Sequence, residues 1–251
     1  MIYGGRSIYE KARRNNHPLT ILRDPIIDKR WNKYLILMTK IVEELEKPEG
    51  QRLQWLFWFD SDTVLMNLNL PLETFLPPSN LPHVHLLLTQ DMNGINNGNF
   101  FIRVHPWSFE LLNSALAYPR LYPKANFQFG EQSALSHVLT ESEYFARSTV
   151  YCPSRGRRMG NYPRRRIYPR VWWVVHPGDL LVHFPGTPVE KLDDAMEPYI
   201  AISEEQRPEW NVPLKETGLI KKTTSFWERY SLLYSEDTTI LFAEEDEDEY
   251  E

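Results

Sequence analysis

Asp60 and Asp62 stand one residue apart in LFWFDSDTVLMN, directly after the apolar run Leu56-Phe57-Trp58-Phe59. An apolar run bounded by polar residues reads as a buried strand, so both carboxylates fall where that strand leaves the core. In open α/β sheets that end of a strand is where ligands bind. Two chemistries suit the pair, beside a bare solvated strand end. Carboxylate oxygens choose hard divalent cations such as Mg²⁺ or Mn²⁺, which bridge to phosphates and neutralise a departing diphosphate. The other chemistry is phosphoryl transfer, with Asp60 as nucleophile and Asp62 as general acid and base. The same spacing recurs at Asp246 and Asp248 with no site around it, so position after a strand carries the argument, not spacing.

Several elements must hold these groups. Apolar residues at Trp31, Leu35, Met38, Ile41, Val42 and Leu45 predict an amphipathic helix over 29–47, ahead of the strand Trp55 to Phe59. HVHLLLT (83–89) and NFFIRV (99–104) read as strands, and the QDMNGINNG between them as turn-rich, with Gly94 and Gly98 free to take positive φ. Helices are predicted for IYEKARRNN (8–16), WSFELLNSALAY (107–118), GEQSALSHVL (130–139) and around 226–233. VWWVV and LLVHF form a late strand pair joined by HPGD. Strands alternating with helices imply an α/β fold with a mixed sheet.

Composition narrows the class. A chain of 251 residues can bury a sizeable core, and 1–235 reads as one domain before a disordered acidic tail, 236–251. The last eight residues hold seven acids, so without them the charge of -6 becomes +1. A nearly neutral body argues against nucleic-acid binding. The single Cys152 excludes an internal disulfide. No apolar stretch approaches the ~18 residues of a membrane span, and no signal peptide opens the chain.

The string around Asp60 resembles the first motif of haloacid-dehalogenase-like phosphatases over about a dozen residues. That family needs a later acidic pair after a strand. Asp179 precedes its strand, and Asp193 and Asp194 lie in a predicted helix.

A longer resemblance runs through WFDSDTVLMNLNLPLETFLPP, GINNGNFFIRVHPWS, FGEQSAL and GDLLVHFPG, with RWNK upstream. In this order they resemble glycosyltransferase family 34, the galactosyl-, mannosyl- and xylosyltransferases of fungi and plants, from about Ala12 to Phe226. The resemblance implies a GT-A type (Rossmann-like) mixed sheet flanked by helices. It also implies retaining transfer of galactose or mannose from UDP-galactose or GDP-mannose to a glycan or glycoprotein acceptor, with Mn²⁺ or alternatively Mg²⁺. Asp60, Ser61 and Asp62 match the family's metal and nucleotide-sugar motif, His183 its third metal ligand, and Gly186 the backbone near the diphosphate. Asn96 and Gly98 match the turn lining the donor sugar, and Glu131 and Gln132 the acid and amide near the reacting carbon. Read alone, His183 is more often a satisfied strand-end histidine than a ligand, and Glu131 is also an acid favoured at a helix N-terminus.

Departures accompany the match. Pro188 stands where plant members carry a lysine, and Gly130 where they carry an acid. The arginine-rich 153–170 is therefore the candidate for phosphate or acceptor binding, with a solvated basic loop as the equal alternative, and Trp107 and Trp210 for an aromatic acceptor surface. The family's first strand and membrane anchor are expected to be missing, so an N-terminally truncated chain or a non-catalytic partner of another glycosyltransferase stands beside the enzyme reading. The family implies the Golgi lumen.

Overall fold

In the computed structural model, residues 5–91, 94–152 and 175–236 are described. After α1 (Gly5–Arg14) comes α2 (Asn32–Leu45), whose Tyr34, Leu37, Met38 and Ile41 recur at helical spacing and are all buried. This face is rotated from the predicted one: Val42 is 40% exposed, while Tyr34 and Leu37 are buried in the core.

Chain order continues with β1 (Trp55–Phe59), β2 (Thr63–Leu65), β3 (Leu86–Asp91) and β4 (Gly94–Arg103). Then come α3 (Pro106–Leu121), α4 (Glu131–Glu141), α5 (Glu143–Ala146), β5 (Thr149–Tyr151), β6 (Leu181–His183), α6 (Val189–Glu204) and α7 (Leu219–Glu236). The main sheet has the order β1-β4-β3-β5. Its first two pairings are antiparallel and β3–β5 is parallel, so the expected mixed sheet is present.

Alternation along the strands loads both faces. Leu86, Leu88, Phe100 and Ile102 pack with α2, α3 and α4, whereas Leu87, Phe101 and Val150 pack with Trp227 of α7. Helices therefore flank both sides.

One expectation is corrected. The stretch Ile95–Gly98 belongs to β4 rather than to a turn, pairing with β3 at Asn96 and running on to Asn99 opposite Phe59. Positive φ occurs at Gly94 (98°), where β3 and β4 connect, and not at Gly98. Among the described residues β6 pairs antiparallel with β2, just after the aspartates. Residues 171–174 of VWWVV, the arginine-rich 153–170 and the acidic residues 237–251 lie outside the described residues. Among the described residues no helix is long and apolar enough to cross a membrane.

Candidate active site

β1 ends at Phe59 opposite Asn99, and the backbone N–H of Asp60 then donates to the Gly98 carbonyl at 2.7 Å. This extends the ladder by one bond and fixes where the first aspartate emerges. Its carboxylate accepts from the Trp58 indole N–H at 2.7 Å and lies 3.0 Å from the Lys33 ammonium.

Two residues on, β2 carries the chain against β6 with Thr63 opposite His183, and the Phe184 N–H donates to the Asp62 carbonyl at 3.0 Å. That register sets His183 beside Asp62, with Nε2 to Oδ1 at 3.3 Å. Burial would raise the Asp62 carboxyl, but the imidazole outweighs it and holds the group below its usual value of 3.8.

Asp60, Asp62 and His183 each offer a ligand atom, all within 4.8 Å of one another. The buried Asp62 Oδ1 faces the imidazole without making a hydrogen bond. A buried carboxylate oxygen left so, beside a second carboxylate and an imidazole nitrogen, is a donor set that suits a divalent cation.

The other wall comes from β4 and α4. Gly130 takes φ 60°, which favours glycine, and starts α4 so that Glu131 and Gln132 turn toward β4. The Gln132 side-chain oxygen accepts from the Asn97 N–H at 3.2 Å. Glu131 is 4% exposed with one oxygen 3.3 Å from Lys33 Nζ. The buried Tyr34 hydroxyl donates to the Glu131 carbonyl at 2.7 Å and accepts from the Asn97 amide at 3.1 Å. Burial and then the Glu131 charge push that phenol well above its ordinary value.

The nine residues matched to the family's metal, donor and reacting-carbon positions all line one cleft of about 1410 Å³. Ser61 and Gly186 stand at exposed positions in it, and Gly186 has φ 69° with open space where a side chain would begin. Asn96 turns its side-chain oxygen to the Gly98 N–H at 2.9 Å. The exposed edge of β1 forms another wall, since β4 is its one partner among the described strands.

Trp107 does not join the site: it is 2% exposed, in the core against His85 and Phe145. Trp210 packs beside Met196 and Val64 instead of forming an open aromatic surface. Asp193 and Asp194 are exposed on α6, outside the cleft lining. Sequence reasoning missed Lys33 and Asn97, which are 5% and 2% exposed and tie the two walls together.

The model of the galactosyl transferase GMA12/MNN10 family matches residues 79–193. Over that stretch the chain is similar to this family, glycosyltransferase family 34. An uncharacterized alpha-1,2-galactosyltransferase of Schizosaccharomyces pombe is 28% identical over 170 residues, 53% of this chain and 41% of that protein. An alpha-1,2-galactosyltransferase of the same yeast is 26% identical over the same shares. The chain thus spans about two-fifths of the length of these two curated relatives. A solved glycosyltransferase involved in glycosylation of the major capsid of PBCV-1 superposes with TM-score 0.50 at 17% identity, over 78% of this chain and 90% of that one. That likeness shows a GT-A-like fold, in agreement with the mixed sheet and flanking helices.

Proposed function

We propose that this chain is the catalytic part of a metal-dependent, retaining hexosyltransferase that moves galactose from a nucleotide sugar to a glycan acceptor in the secretory pathway. The observation that carries the reading is the Asp60, Asp62 and His183 cluster at the end of β1, inside a cleft large enough for a nucleotide sugar and part of an acceptor. Galactose is preferred to mannose because both relatives above are named as galactosyltransferases.

Asp60, Asp62 and His183 would hold the cation, Mn²⁺ before Mg²⁺ because one ligand is an imidazole. When bound, it supplies charge neutralisation for the departing diphosphate. Gly186, bare of a side chain, leaves room for phosphate oxygens beside His183. Asn96 and Gly98 border the donor sugar. Gln132, oriented through Asn97, presents its amide toward the reacting carbon and stabilises developing positive charge there. Glu131 is enclosed beside Lys33, which supports an orienting role over direct attack.

The test is transfer from UDP-galactose with Mn²⁺, following sugar incorporation into a mannose-terminated acceptor. Asp62→Ala is expected to lower turnover by at least ~10²-fold while the circular dichroism spectrum stays unchanged. Retained metal-dependent activity in that variant rejects the assignment. Transfer from GDP-mannose in place of UDP-galactose would move the donor to mannose.

A further inference from the structure

Lys33 lies in the first turn of α2 and is 5% exposed. A buried ammonium needs anionic or polar partners, and this one has carboxylates from two separate elements. Nζ lies 3.0 and 3.2 Å from the two oxygens of Asp60, 3.3 Å from Glu131 Oε1, and 3.1 Å from the Asn97 carbonyl. The Asn97 side-chain oxygen is 3.4 Å away, and the Trp58 ring centroid 5.9 Å. An ammonium has three N–H groups, so these oxygens share them.

We infer that Lys33 is a built-in counter-ion of the metal motif, competing with a divalent cation for Asp60 and thereby setting the affinity of that site. The inference rests on the metal reading above. Asp60, Asp62 and Glu131 with Lys33 leave two negative charges uncompensated, which a divalent ion balances. Without Lys33 the site carries a third negative charge. The bare cation then binds more tightly, yet the loaded site keeps a surplus negative charge beside a departing diphosphate. Lys33 in this account touches no reacting atom; it positions Asp60 and adjusts the field around it.

The distinguishing measurement is direct Mn²⁺ binding to the purified chain without nucleotide, read by the paramagnetic resonance of free Mn²⁺. Lys33→Met and Lys33→Gln are expected to bind Mn²⁺ about tenfold more tightly than the unchanged chain, from the loss of one nearby positive charge. Lys33→Arg, which keeps that charge, stays within ~threefold. A purely structural lysine predicts the opposite, since a loosened Asp60 weakens binding. Equal or weaker binding by the Met and Gln variants overturns the inference and leaves the metal site standing. No Mn²⁺ binding by any of the four proteins overturns both. Lys33→Gln retains a donor toward Asp60 and Asn97, so it carries the comparison should the Met variant fail to fold.

Discussion

Gly98 shows how a single missing side chain positions the site. A Cβ there would lie 2.2 Å from His183 Cε1 and 2.6 Å from Nε2, closer than any real contact. The imidazole has little room to retreat, because β6 is paired to β2 at that residue and the side chain is 13% exposed. Gly98→Ala is therefore expected to turn the ring away from Asp62 and lower metal-dependent turnover by about 10²-fold, with little change in thermal unfolding. A variant within ~twofold of the parent in turnover would reject the packing account. The two aspartates were legible because a strand end followed by carboxylates is a local pattern. His183 came from resemblance to a family, since its neighbour Asp62 is remote in sequence. Gly98 was expected as a flexible turn residue, but its observed value is clearance. Lys33 left one readable trace: it shares a helix face with Leu37 and Ile41, and a charge in an apolar stripe must find a buried partner.

At the scale of elements, Glu44 decides where β1 begins. It sits in the last turn of α2, 5% exposed, with Oε2 accepting from the Leu53 N–H at 2.9 Å and Oε1 from Lys47 Nζ at 2.5 Å. Burial favours the neutral acid, but Lys47 and the Leu53 amide outweigh it, so the carboxyl stays below its usual 4.5. Glu44→Ala is expected to cost about 1 kcal/mol in urea unfolding at neutral pH, because the half-buried Leu53 amide loses its acceptor. A lowered carboxyl stabilises above its unfolded value and loses that contribution as it protonates, so the gap should narrow as pH falls below 4.5. A gap that persists undiminished in acid would point to lost packing instead. The long helices α2 and α3 were readable from their residue patterns, with ends shifted by a few residues, and β1 from its apolar run, with the ends expected. The three-residue β2 was not, since three residues show no period and its pairing with β6 depends on a partner over a hundred residues away.

At the scale of the whole molecule, the end of the sheet opposite the aspartates gathers three histidines whose pKa values are all lowered. In the β1–β4 register Phe59 meets Asn99 at the cleft end, whereas Trp55 meets Arg103 at the other. Beside Arg103 the His85 ring stacks on His105 with centroids 4.2 Å apart and lies 5.2 Å from the Trp107 ring. His85 is 8% exposed, and its Nδ1 has no hydrogen-bond partner among the described residues. Burial, followed by the charges of His105, Arg103 and His83, presses its pKa from 6.5 down to about 3. The unfolded chain therefore binds a proton at this residue that the folded chain refuses between those values. Stability from His85 is complete above 6.5 and falls as pH drops toward about 3. At ~1.4 kcal/mol per pH unit, acidification by about 1.5 units below the unfolded value should remove roughly 2 kcal/mol through this group. His83 and His105 are lowered as well, so they add to the slope. His85→Phe keeps a planar ring for the stack and cannot take a proton. Urea unfolding between about pH 7 and 5 should show a shallower loss of stability in that variant than in the parent. Parallel slopes would mean that the histidine stack opens to solvent before it charges, placing the acid-labile step in local opening rather than in the global transition.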